Sequence, residues 1–153
     1  MAELTLFLAG DVMTGRGIDQ VLPSPGDPAL REELVRDARR YVALAEAANG
    51  PIPQPVDVSW PWGDVLTVLN EAEPDVRIFN VETSVTRSGD FAPGKRVHYR
   101  MHPDNAGCLV VALPEVEDVV VGEHAHVGPS RHQAASVVRM HPVVHPLPRR
   151  EVA

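Results

Sequence analysis

The sequence predicts an α/β protein built on parallel strands, and three observations lead there. Two short apolar runs, Leu4–Ala9 and Val76–Asn80, both give way to polar loop residues, as buried strands do at the rim of a sheet. Between them lie two stretches with the three- and four-residue apolar spacing of helices. The order strand, helices, strand then puts the two strands side by side in the same direction.

Leu4-Thr5-Leu6-Phe7-Leu8-Ala9 is nearly continuous in apolar character, which suits a parallel strand covered on both faces. Gly10 to Gly17 forms the loop at its carboxyl end. Asp27 followed by Pro28 reads as a helix cap and first position, and the spacing of Leu30, Leu34, Ala38, Tyr41, Ala45 and Ala48 predicts a helix over 28–48. Asn49-Gly50-Pro51 stops it. A proline-rich connection, "PIPQPVDVSWPW", leads to a shorter helix capped by Asp64, carrying Val65, Leu66, Val68 and Leu69 and ending before Pro74. The second strand follows, and "VETSVT" leaves its carboxyl end. "YRMHPDNAGCLVVA" reads as a turn and a short helix capped near Asp104, and "VEDVVVG" as a further strand.

The length of 153 residues suffices for one domain with a core. A net charge of −7 works against nucleic acid or an anionic membrane surface as a partner, because binding phosphate needs a basic face. The single cysteine, Cys108, excludes an internal disulfide and fits a reducing compartment. The first apolar run is far shorter than the ~20 residues a membrane helix requires, and no basic segment precedes it. The expectation is a cytoplasmic protein without a membrane span.

The segment "GDVMTGRG", residues 10–17, has the glycines of a phosphate loop but not its chemistry. Arg16 and Gly17 stand where a nucleotide-binding loop carries lysine and a hydroxyl, and Gln20 stands where a dinucleotide fingerprint carries its third glycine. What remains is a carboxylate, Asp11, at the carboxyl end of a parallel strand, the edge at which α/β sheets bind ligands. The second strand ends similarly, with Asn80 and Glu82. If the strands are parallel, Asp11, Asn80 and Glu82 meet at one crevice, as part of a hard, oxygen-donor metal site or as a merely polar cleft.

Taken together, "LTLFLAGDVMTGRGIDQVL", "WGDVLTVL", "PDVRIFNVETSVTRSGD" and "HYRMHP", in this order and spacing, resemble the N-terminal part of the CapA-type capsule-synthesis family. This family is also called the poly-γ-glutamate biosynthesis family and is similar to calcineurin-like metallophosphoesterases. The resemblance runs over roughly residues 4–107. It implies a four-layer α/β sandwich, with a divalent-metal centre (Mn, Fe, Mg or Zn) at the strand ends. Asp11 matches the first acidic ligand of that family, and Asn80 and Glu82 match its Asn-x-Glu pair. Arg16, beside the same crevice, is a candidate contact for an anionic small-molecule or polymer substrate.

The chain also departs from the pattern. The family's Ala-Asn-Asn-His element, which supplies further ligands, is absent, and family members are much longer. The expected architecture is therefore an incomplete sandwich. Residues 1–110 form its N-terminal part, 111–138 a strand and loop of uncertain kind, and 139–153 a disordered tail rich in histidine and proline. His124 and His126 in "VVVGEHAHV" share the spacing of the family's late His-x-His. One reading is an internal deletion that kept these two ligands; the other, which the unrelated residues after Val127 favour, is a chance match in a changed C-terminus. The expected function is a truncated family member with a partial metal site and weak catalysis or none. The alternative is a non-enzymatic remnant or small interaction domain that binds no metal.

Overall fold

The computed structural model describes residues 4–91, 93–94, 96–113, 118–120 and 137–139. Strand β1 (Leu6–Val12) leads through a loop into the short helix α1 (Gly17–Val21) and, after a long irregular stretch, α2 (Arg39–Asn49). A 3₁₀ turn at Trp60–Trp62 precedes α3 (Val65–Ala72), which feeds β2 (Val76–Val81). The two-residue strands β3 (Ser84–Val85) and β4 (Arg100–Met101) follow, then a 3₁₀ turn at Pro103–Asn105 and α4 (Gly107–Val110). Strands β5 (Asp118–Val120) and β6 (Val137–Arg139) pair antiparallel. The first of these falls within the run "VEDVVVG"; the second begins in the uncertain segment and ends on the first residue of the expected tail.

The class is α/β, and the first two strands are parallel as their order predicts. Leu6 pairs with Val76, Phe7 with Arg77, Leu8 with Ile78 and Ala9 with Phe79. One face of this ribbon is packed: Phe79 lies against Phe7 at 5.6 Å and against the Trp62 ring at 5.3 Å. Arg77 donates to the carbonyls of Leu69 and Ala112 at 3.1 Å each, tying the sheet to α3 and to the end of α4. The other face departs from the expectation of a strand covered on both sides. Leu6, Leu8 and Ile78 are exposed, because among the described residues the sheet has only these two strands.

The core lies beyond the strands' carboxyl ends. Val21, Leu22, Val42, Val56, Val85, Met101, Ala106, Cys108 and Leu109 form it, with Val12 and Val81 packed against it from the last positions of β1 and β2. Asp19 organises this region from within. Its buried carboxylate accepts from the backbone N–H of Gly26 (2.8 Å) and of His102 (2.9 Å) and from Asn105 Nδ2 (2.7 Å). A buried charge is tolerable only when its lone pairs are taken up in this way.

The helix expected over 28–48 is shorter, beginning at Arg39. The preceding stretch is a loop closed by an Ala29–Asp37 bridge, with Ala38 N–H donating to the Pro28 carbonyl at 2.8 Å. The physical cause is competition from side chains. Asp27 and Asp37 each accept the N–H two residues on, from Ala29 at 3.0 Å and Arg39 at 2.9 Å, and such turns displace helix. Leu34, placed on the apolar face by spacing alone, is 97% exposed. The stop at Gly50 holds, with φ 90° and its N–H on the Glu46 carbonyl at 2.9 Å. Asp64 stands at the α3 N-cap but its side chain makes no capping bond.

Candidate functional site

The parallel register brings the two strand ends together, and a bulge sets their side chains. Between the pairs Ala9–Phe79 and Val12–Val81 the register shifts, so Gly10 and Asp11 of β1 stand opposite the single residue Asn80. The extra residue is accommodated by a left-handed backbone at Asp11, φ 54°. Aspartate enters this region more readily than most residues, though still at a cost. The result is a direct contact, with Asn80 Nδ2 donating to Asp11 Oδ1 at 3.1 Å. Both residues are exposed.

Pairing resumes beyond the bulge, where Glu82 N–H donates to the Val12 carbonyl at 3.0 Å. This fixes the backbone of Glu82 at the same exit and leaves its carboxylate exposed. One step further, Thr14 N–H donates to Thr83 Oγ1 at 3.1 Å. Thr14 and Thr83 are both buried and tie the two exit loops to each other. The sequence signal for them is positional: each lies three residues past the Asp11–Asn80 pair. Gly15 closes the loop against β4, where a Cβ would come 2.7 Å from the Arg100 carbonyl oxygen.

Arg16 is held from three sides. Its Nε donates to Glu32 Oε1 at 2.7 Å, and its guanidinium lies 4.5 Å from the Tyr99 ring centre and 5.1 Å from that of Tyr41. Its backbone takes φ 51° and ψ −127°, a combination natural to glycine, and the side-chain anchors hold it there. Glu32 also accepts the Tyr41 hydroxyl at 2.8 Å. That bond, with burial, raises the Tyr41 pKa above its ordinary 10.0. Glu32 has no sequence signal; Tyr41 entered only through its helical spacing, and "HYRMHP" located Tyr99 only as part of a motif.

The donors at the strand exits are oxygens: the carboxylates of Asp11 and Glu82, and the side-chain carbonyl of Asn80, whose amide nitrogen is the group turned to Asp11. Hard divalent cations favour such donors. Among the described residues no three His, Cys, Asp or Glu side chains gather closely enough to hold an ion. His124 and His126 lie outside the described residues. Among those described, no helix is long and apolar enough to cross a membrane.

Comparison with known proteins adds to this geometry. A family model described as bacterial capsule synthesis protein PGA_cap matches residues 5–116. Two curated proteins of Mycobacterium tuberculosis, from strains CDC 1551 / Oshkosh and ATCC 25618 / H37Rv, are each 55% identical to the chain over 113 residues. Both are described as a probable polyglutamine synthesis accessory protein. The match takes in 74% of this chain and 30% of each relative, so the chain spans less than a third of their length. No solved structure matches.

Proposed function

The chain belongs to the bacterial capsule synthesis protein family, and from that premise we propose that it contributes a partial divalent-metal site to capsule or polyglutamate synthesis. The observation that carries this reading is the Asp11–Asn80 contact at 3.1 Å across the bulge. A strained carboxylate oriented by an amide, at the carboxyl ends of parallel strands, is the arrangement expected of a ligand rather than of a surface turn. Glu82 is the third proposed ligand. The strands themselves are read as part of a four-layer, metallophosphatase-like sandwich, and the lone, buried Cys108 supports a cytoplasmic setting.

A divalent ion held by Asp11, Asn80 and Glu82 would supply Lewis-acid chemistry toward an anionic oxygen. The chain's own residues do the positioning. Asn80 holds Asp11 in one orientation, the bulge turns that carboxylate toward Asn80, and the Thr14–Thr83 bond keeps the two exit loops in register. Arg16 is the proposed contact for an anionic small molecule or polymer, its guanidinium held against the two tyrosine rings. Three oxygen donors fall short of the six or more a hard cation takes, so little catalysis is expected from this chain alone. Metal content after dialysis tests the proposal. Stoichiometric Mn, Fe, Mg or Zn in the native chain, lost in both Asp11→Ala and Glu82→Ala, supports it. A metal-free native chain would favour an interaction domain or remnant instead.

A further inference from the structure

We propose that the cavity between the β1 exit loop, α1 and α2 binds a small amphipathic monocarboxylate, with Arg16 receiving the carboxylate and apolar walls receiving the body. The cavity has a volume of about 210 Å³ and opens to solvent. Ile18, Val21, Val42, Ala45, Ile52 and Trp60 line it, and among the described residues Arg16 is its only charged wall. Gly17 allows α1 to approach α2 here, since a Cβ would come 3.0 Å from that of Tyr41. Apolar walls with a single polar group to fix orientation are the usual composition of a small-molecule site. Because an apolar cavity of ~150 Å³ takes benzene, this one has room for about eight non-hydrogen atoms.

The state of Arg16 identifies the polar end of the ligand. Its left-handed backbone, φ 51°, is strain of the kind that collects at ligand clamps. Glu32 takes the Nε–H at 2.7 Å, and among the described residues no group accepts from the two terminal nitrogens. The Tyr41 and Tyr99 rings hold the guanidinium, at 5.1 and 4.5 Å from their centres, so little side-chain freedom is left to lose on binding. A guanidinium edge with free donors matches a carboxylate. Glu32 offsets part of the Arg16 charge, and the chain carries a net −7; both favour a single carboxylate with an apolar body over a dense polyanion. This inference rests on the reading of Arg16 as an anion contact and is independent of the metal site.

Titration of the isotope-labelled full chain with hexanoate, hexanamide and succinate, followed by two-dimensional NMR, tests it. Hexanoate should shift Ile18, Val42, Ala45 and the Trp60 indole in one saturable step. Its affinity should exceed that of hexanamide about fivefold, through the charge of Arg16, and that of succinate at least tenfold, through the apolar walls. Ala45→Phe fills the cavity from a half-buried position and should abolish binding in a chain that still unfolds cooperatively. Arg16→Gln should erase the preference for hexanoate over hexanamide; the Ala45 variant decides the matter if that one does not fold. Hexanoate bound no better than succinate would overturn the apolar site while leaving Arg16 an anion contact, and binding of neither would overturn both. Equal binding of hexanoate and hexanamide by the native chain, or binding that survives Ala45→Phe, would also overturn the proposal.

Discussion

Replacing Asp11 by glycine and, separately, by alanine isolates the strain at the bulge. Asp11 holds φ 54°, where a residue with a Cβ pays about 1–2 kcal/mol relative to the right-handed region. Glycine escapes that cost but loses about 0.4–1 kcal/mol through the larger entropy of its unfolded chain. Both substitutions remove the bond from Asn80, so that loss cancels between them. Asp11→Gly should therefore be more stable than Asp11→Ala by about 1 kcal/mol. Inside a regular strand the order is opposite, with glycine worse than alanine by about 0.5–1 kcal/mol. Urea denaturation reads the difference as a midpoint shift of about 0.3–1 M at unchanged slope. Equal midpoints, or alanine above glycine, would refute a left-handed Asp11 and with it the bulge that brings the carboxylate to Asn80.

Other outcomes follow from the same geometry. Gly15→Ala drives a Cβ to 2.7 Å from the Arg100 carbonyl and should destabilise by about 1–3 kcal/mol, visible as a lowered midpoint in thermal melts. Burial, followed by the charge of Asp19, pushes the Cys108 thiol up to about 12 from 9.0, so a thiol reagent at pH 8 should label it only after unfolding. The proton is bound more tightly in the folded state. Stability linked to it is thus complete below the unfolded value near 9 and is lost as pH rises toward 12. Cys108→Ala should show a shallower alkaline loss in denaturation midpoints. Tyr41, raised by Glu32, should ionise at lower pH in Glu32→Gln, as ultraviolet titration would register.

Much of the frame was legible because the signals were local. The apolar run before Asp11 and the one before Asn80 announced two parallel strands, and Asn49-Gly50-Pro51 announced a helix end. The polar strand exits place Asp11, Asn80 and Glu82 in one region. What escaped depended on contacts distant in sequence. The start of α2 was misplaced because Asp27 and Asp37 bend their own backbones into turns, which apolar spacing does not register. The bulge was invisible, since a single extra residue leaves no periodic trace. Asp19 carries no sequence signal of its own, yet it accepts bonds from His102 and Asn105, which only the folded chain brings near. The uncovered sheet face follows from the expectation of an incomplete sandwich, which leaves one face of its sheet without cover, although the apolar run of β1 taken alone reads as buried on both sides.

The most direct test of the central claim is a Mn²⁺ titration of the 153-residue chain, followed by the loss of free-ion paramagnetic signal. The proposed site predicts saturable binding of one ion, weakened at least tenfold by Asp11→Ala and by Glu82→Ala, with both variants still folded. Absence of saturable binding, or binding that both variants retain, would contradict a metal site at the ends of β1 and β2.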